Sequence, residues 1–414
     1  MATLFDRRDF LVTVSGVLAL APPATKPKRL AAAVTVYTHN SHADVIVSKL
    51  LQGFNLDDKD PRPALELASL YVDQVGEGDL SRSFARKYGF RLAPTIADAL
   101  TLGGKELAVD GVLLVGEHGH YPVNAKGQIL YPRRRFFEQV VRVFRRSGRV
   151  VPVFSDKHLS AAWADARWMY DTARAMKIPL MAGSSLPGTW RRPPLDTPLG
   201  SVLDEIAAIS FHTLDAYGFH ALEMVQCLAE RRKGGETGVA AVRCVTGPDV
   251  WKLGRQGRYD RRLLDAALAR REQKGRPGRI EDLVPEPILF LIEYRDGLRA
   301  SIFTLNGAVG EWAAAWRVHG QATPQATLFW TQEERPLGHF SFLVRGIEQM
   351  IHTGKPTWPV ERTLLTTGLL DALLTSRVRH GVRIPTPHLA IRYKPTHAWQ
   401  PPPPPPPGRP LSGQ

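Results

Sequence analysis

The sequence predicts a two-part α/β protein. A doubly wound, parallel-sheet N-terminal domain is followed by an α+β domain with an open, mostly antiparallel sheet. Three observations carry this reading. From residue 30 to 182, short apolar β-branched runs alternate with helix-spaced segments, the pattern of a parallel sheet covered on both faces. Beyond about Gly200 the strands lengthen, and two of them flank Arg295-Asp296-Gly297, a hairpin signal. Two long leucine-bearing helical patterns then close the fold at 339–353 and 360–379.

Taken in order, residues 30–37 (LAAAVTVY) form the first strand and 43–53 a helix stopped by Gly53. Residues 65–72 are a second strand ending at Asp73, and 81–88 a helix closed by Gly89. A short helix at 95–102 follows Pro94. Strand 109–115 (VDGVLLV), helix 134–146, strand 149–154, helix 161–176 and strand 178–182 complete a Rossmann-like domain over 30–182. The second domain, 183–393, holds strands at 239–246, 287–294, 299–305 and 326–330, and is expected to bind substrate and to oligomerise. The closing helices are expected to cover its sheet, with Leu364, Leu365, Leu369, Leu370, Leu373 and Leu374 forming core. Trp312 and Trp316 are expected to pack on that sheet, and Cys227 and Cys244 to be buried apolar residues.

The two ends read differently. Residues 1–29 carry Arg7-Arg8 before a short apolar stretch, the pattern of a twin-arginine export leader and hence of a periplasmic protein. Pro401 to Pro407 is uninterrupted, so 394–414 is expected to be a disordered, solvated polyproline tail.

Composition narrows the function. Two cysteines exclude a disulfide scaffold or a Cys-based metal centre. No apolar run is long enough to span a bilayer. The net charge is +14, but 40 of the 54 basic residues are scattered Arg, so the charge does not mark a nucleic-acid binder.

Ligands of doubly wound sheets bind beyond the carboxyl ends of the strands. Six of the 13 histidines, His39, His42, His118, His120, His158 and His220, are expected near that edge, with Glu117 and Asp156. Imidazole and carboxylate together suit zinc, iron or manganese, so a divalent-metal enzyme is one alternative. A non-catalytic carbohydrate- or partner-binding protein is another.

Four segments resemble the Gfo/Idh/MocA oxidoreductases. The run RVVPVFSDKHL places Asp156-Lys157-His158 where that family has Glu-Lys-Pro. The strand VDGVLLVGEHG lies where the family frames the nicotinamide with a strand end. Tyr217-Gly218-Phe219-His220-Ala221-Leu222-Glu223 resembles the family's Asp-x-Gly-x-His-x-x-Asp segment, and VERTLLTTGLLDALLTSRVRHGVRI its closing helix. The resemblance implies hydride transfer between NAD(P) and a sugar or polyol derivative, in a homo-oligomer. It implies catalytic roles for Lys157 and His220, with Asp156 beside them. Thr38, His39, Asn40, Asp73, Glu117, His118 and His158 would hold the cofactor. Three departures stand out. The turn Thr38-His39-Asn40-Ser41-His42-Ala43-Asp44 has no glycine where a pyrophosphate usually approaches a helix N-terminus, which argues against the ordinary seating of NAD(P). The proline of Glu-Lys-Pro becomes His158, and the first Asp of the later segment becomes Ala216.

Overall fold

The computed structural model describes residues 26–273 and 275–411; the twin-arginine segment lies outside the described residues. The first half runs β1 (Lys28–Val34), α1 (His42–Gln52), β2 (Leu65–Val72), α2 (Ser81–Tyr88), β3 (Arg91–Leu92), α3 (Ile96–Thr101), β4 (Gly111–Val115), α4 (Arg133–Ser147), β5 (Val153–Asp156), α5 (Trp163–Ala175) and β6 (Leu180–Gly183). Its six strands are all parallel, in the order β3-β2-β1-β4-β5-β6. The order reverses between β1 and β4, which opens a crevice beyond their carboxyl ends.

Alternation along each strand sorts the core. Ala31, Ala33, Val112 and Leu114 face α3, α4 and α5, packing on Ile96, Phe136, Phe137 and Met169. Leu30, Ala32, Val34, Leu113 and Val115 face the other way, onto Val45, Ile46 and Leu50 of α1.

The second half runs β7 (Trp190–Arg192), β8 (Leu203–Ser210), α6 (Ala216–Ala229), β9 (Val239–Thr246), α7 (Asp249–Arg255), α8 (Arg261–Leu268), α9 (Ile280–Leu283), β10 (Ile288–Tyr294), β11 (Arg299–Thr304), β12 (Trp312–Val318) and β13 (Gln325–Trp330). Then follow α10 (His339–Thr353), α11 (Val360–Val378) and β14 (Ile384–Pro385). An eight-stranded sheet results, in the order β14-β9-β10-β11-β8-β12-β13-β7. It is antiparallel except where β11 runs parallel to β8. The expected hairpin joins β10 and β11, with Gly297 at φ +95° in its turn.

Several sequence expectations change. The run Trp312-Ala-Ala-Ala-Trp316 is strand β12, because its period is two: Trp312, Ala314 and Trp316 join one core, while Ala313 and Ala315 join the opposite one. The small alanines let α8 approach that second face. The sheet is thus covered on both sides, by α6 and α11 on one and by α7 to α9 on the other.

The closing helices are shared rather than confined to the second sheet. Phe340, Leu343, Val344, Ile347 and Ile351 of α10 lie with Leu30 and Leu113 against the parallel sheet. On α11, Val360 and Leu364 join the first domain's core, while Leu365, Leu369, Leu370 and Leu373 join the second's. The amphipathic stripe was legible, but an apolar face does not say which sheet it will meet.

The polyproline segment also departs from expectation. It does not stand free in solvent: Trp190 Nε1 donates to the Pro403 carbonyl at 2.6 Å and Gln332 Nε2 to that of Pro406 at 2.7 Å. Proline lacks a donor but keeps a carbonyl, and these carbonyls find buried donors.

Because α10 completes the first sheet's core, Ile347→Ala is expected to cost roughly 2–5 kcal/mol. Denaturant unfolding followed by both Trp fluorescence and far-UV circular dichroism should show one shifted transition for the two sheets, not the loss of one alone.

Candidate active site

A cleft of about 320 Å³ lies where the strand ends of the first sheet meet α6 and β12. Its walls include His42, Glu117, His118, Lys157, His220 and Trp312. Residues from β1, β4, β5 and α6, far apart in sequence, therefore meet in one hollow.

Lys157 follows β5 in the left-handed region, φ +65°, and its N–H donates to the Gly183 carbonyl at 3.1 Å. This bend aims the side chain into the domain junction, where it is only 3 % exposed. A buried ammonium needs a counter-charge. Glu117, just beyond β4, supplies it with Oε1 3.4 Å from Nζ. The other Glu117 oxygen accepts from Arg133 Nη2 at 2.7 Å. Burial alone would raise the Glu117 carboxyl, but Lys157 and Arg133 outweigh it and hold the group well below the usual carboxylate range. Arg133 reaches this point because residue 116 is glycine; a Cβ there would sit 2.7 Å from Arg133 Cγ.

Asp156 is buried beside Lys157 and accepts from His42 Nδ1 at 2.7 Å, which leaves Nε2 as the basic atom of that ring. The His42 and His118 rings lie 5.4 Å apart. His118, at φ +68° on the rim, is pulled down to about 4 by the protein packed around it and by His42. His220 projects from α6, its Nδ1 hydrogen-bonded to Ser184 Oγ, which also accepts from the Leu186 N–H at 3.0 Å. Burial and the Lys157 charge lower His220 well below an ordinary histidine, so it is neutral at pH 7. Opposite stands an aromatic wall: Tyr217 stacks on Trp312 at 5.4 Å and on His212 at 4.6 Å.

A second hollow of about 730 Å³ adjoins the cleft beyond β1, β2 and β4, sharing Asn40 and His118 with it. Thr38, His39 and Asn40 line this crevice. At its floor, the Ser41 hydroxyl caps α1 by accepting from Asp44 N–H. The buried Asp44 carboxylate accepts from Asn40 N–H at 2.9 Å and from Arg335 at 2.8 Å. The glycine-free turn is accommodated by Asn40 at φ +58°.

Of the residues read from sequence, Lys157, His220, Glu117 and His118 line the cleft, and Thr38, His39 and Asn40 line the crevice. Asp156 acts beneath the cleft surface through His42. Asp73 and His158 line neither. Asp73 turns toward α4, where its carboxylate takes Arg135 at 2.7 Å, Tyr71 at 2.7 Å and Tyr121 at 2.8 Å. Three partners leave it no free lobe for a ribose. His158 is buried under the site, accepting from Arg133 Nη1 on Nε2 at 3.1 Å; burial and that charge keep it neutral. The metal alternative finds no support: among the described residues no three His, Cys, Asp or Glu side chains gather around a common point. Trp190, Arg191 and Arg192 lie outside the cleft lining; Arg191 pairs with Asp196 and Arg192 with Glu272.

Sequence reasoning missed four contributors. Arg133 sits in a run of three arginines that reads as a solvated helix start, and Ser184 has no motif of its own. Trp312 is hidden by the alanines around it. Tyr217 sits inside the YGFHALE segment with no signal of its own.

Neither a protein-family model nor a curated protein matches the chain. Solved structures do. GenD2 from gentamicin A biosynthesis, in complex with NAD, superposes with a TM-score of 0.57 at 14% identity, over 89% of this chain and 99% of that one. The apo scyllo-inositol dehydrogenase of Lactobacillus casei gives 0.54 at 12%, covering 86% and 98%. The myo-inositol 2-dehydrogenase of Lactobacillus plantarum gives 0.53 at 9%, covering 87% and 99%. The chain shares the fold of these three proteins. Both domains take part, since the match spans nearly the whole of each neighbour.

The buried charge cluster generates a test. Arg133→Met removes one of the two cations on buried Glu117, leaves one of its oxygens unpaired, and is expected to cost roughly 3–5 kcal/mol at pH 7. Arg142→Ala, on the surface, should cost no more than about 1 kcal/mol. The Glu117 pairing stabilises the fold above the unfolded carboxylate value of about 4.3 and is lost as pH falls toward the much lower folded value. Denaturation between pH 7 and 3 should therefore show an acid loss of stability that is shallower in Arg133→Met.

Proposed function

We propose that the protein is a Gfo/Idh/MocA-type oxidoreductase that moves a hydride between NAD(P) and a hydroxyl-bearing carbon of a sugar or polyol. The observation that carries this reading is the meeting of Lys157, paired with Glu117, and neutral His220 in one cleft beside the crevice of a doubly wound sheet. The shared fold with GenD2 and the two inositol dehydrogenases supports it.

The crevice residues fit a dinucleotide in an altered way. One first-turn amide of α1, that of Asp44, is already served by Ser41, and the Asp44 carboxylate takes the Asn40 N–H just before the helix, so phosphates would not be seated on a glycine-backed turn. His39 Nε2 and Asn40 Nδ2 nevertheless converge on a single oxygen, the Leu411 carbonyl, at 2.7 and 2.8 Å. That donor pair suits a phosphate oxygen equally well. When bound, the nicotinamide would supply the hydride acceptor or donor.

The chain's own groups supply the rest. Oxidising a carbinol releases a proton as the hydride leaves, so a neutral base must touch the hydroxyl. His220 is such a base: with Ser184 Oγ accepting from Nδ1–H, the lone pair on Nε2 takes the proton, and the imidazolium returns it when a carbonyl is reduced. The Lys157 ammonium stabilises negative charge growing on the same oxygen. The Tyr217–Trp312 wall offers a flat apolar surface for the C–H face of a ring.

A panel of inositols and aldoses, assayed by NAD(P)H absorbance, tests this reading. Lys157→Met should lower kcat by about 10²–10³. His220→Phe should lower it by about 10²–10⁴. The acid limb of wild-type oxidation should fall below the ordinary histidine value of about 6.5. No turnover, together with no change of Trp fluorescence on adding NADH or NADPH, would overturn the proposal.

A further inference from the structure

The C-terminal segment docks along its own chain from Trp399 to Leu411. Trp399 Nε1 donates to the Thr189 carbonyl at 2.9 Å and anchors the start. The carbonyls of Pro403 and Pro406, three residues apart, then take Trp190 Nε1 and Gln332 Nε2. A polyproline helix has three residues per turn, so these two carbonyls share a face. Trp190 packs edge-on against Trp330 and Phe342, at 5.3 and 4.7 Å, which makes an aromatic groove with an indole N–H. Such grooves hold polyproline because the helix is pre-extended and loses little entropy on docking.

Past the prolines, Arg409 pairs with Arg335 through two backbone hydrogen bonds, at 2.7 and 3.1 Å. Arg335 in turn contacts Asn40 and Asp44 of the crevice turn at 2.9 and 2.8 Å. The run ends with the Leu411 carbonyl accepting from both His39 Nε2 and Asn40 Nδ2. A neutral carbonyl thus occupies two of the side-chain donors that line the crevice.

We infer that residues 401–411 form an autoinhibitory strap, held in the Trp190–Gln332 groove, whose Leu411 carbonyl competes with a phosphate group for His39 and Asn40. Phosphate entry there requires that the end of the strap lift. The inference builds on the dinucleotide reading above, but an anion without a nucleoside tests it separately.

The full-length double variant Gly408→Val/Arg409→Ala loosens the strap without touching either hollow. A Cβ on residue 408 would collide with the Glu334 carboxylate and fall 3.1 Å from Glu334 Cβ, and Arg409 loses its bond to the Asn55 carbonyl. Hydrogen–deuterium exchange should quicken in peptides covering 35–44 and 333–337 and at residues 408, 409 and 411, which hold the only amide hydrogens of the strap, while the rest of the chain is unchanged. Inorganic pyrophosphate and NADH, titrated by calorimetry, should each bind about two- to tenfold more tightly than to the wild type, the range one net hydrogen bond spans. Pro406→Gly, which loosens the strap through chain entropy alone, should act in the same direction. Faster exchange with no gain in pyrophosphate affinity overturns the competition. Unchanged exchange in both variants overturns the docking. Tighter pyrophosphate binding with no NADH binding to any form upholds the strap and removes the dinucleotide reading.

Discussion

The buried ammonium of Lys157 is the constraint around which the rest of the molecule is arranged. A lysine at a strand end, almost closed off from water, is tolerable only if a carboxylate meets it and if that carboxylate is itself satisfied. Glu117 meets it from the neighbouring strand, and Arg133 satisfies Glu117 from the helix that follows. Asp156 and His42 form a second pair alongside. Each of these groups depends on the parallel register of β1, β4 and β5, because only then do three strand ends finish at one level. The order of the sheet is thus a condition for the charge pattern.

The cleft also needs its far wall, and here the shared helices matter. His220 and Trp312 belong to the second sheet's layer, while Lys157 belongs to the first. α11 places side chains in both cores, and α10 lies on the parallel sheet although it follows the antiparallel one in sequence. A chain that crosses back in this way resists hinge opening, since separating the layers would expose the leucines of α11. Ser184, at the junction after β6, then reaches across to the His220 ring, so a short connection between the domains sets the orientation of the proposed base.

What the sequence made legible follows from the range of the interactions involved. Strands β2, β4 and β9 and helices α2, α10 and α11 are visible as apolar periodicities, because each is specified by residues within itself. Lys157, His118 and His220 could be singled out because they sit where strand or motif ends are readable. Arg133 and Ser184 could not, since their roles lie in what they touch across 16 and 36 residues of sequence. Asp73 shows the reverse. It stands at the expected strand end, yet Arg135, Tyr71 and Tyr121 take its lone pairs, and nothing local foretells a carboxylate's partners. The tail was misread for a related reason: composition showed no apolar side chains to bury, while the contacts that pin it use its carbonyls.

The crevice turn sharpens the comparison with glycine-rich dinucleotide loops. Such loops leave bare amides and open space, so an anion fills an existing seat. Here the turn is partly filled from within: Ser41 caps the Asp44 N–H of α1, the Asp44 carboxylate takes the Asn40 N–H, Arg335 offsets the Asp44 charge, and the Leu411 carbonyl accepts from the His39 and Asn40 side chains. An anion arriving at the His39 and Asn40 side chains must therefore exchange with a protein oxygen. Exchange of a neutral acceptor for a charged one is favourable where the donors are partly exposed, as His39 is at 37 %. It is unfavourable against Asp44, which is fully buried and already ion-paired. The physical asymmetry places ligand exchange on the His39–Asn40 side of the turn and leaves Asp44 as a fixed structural cap.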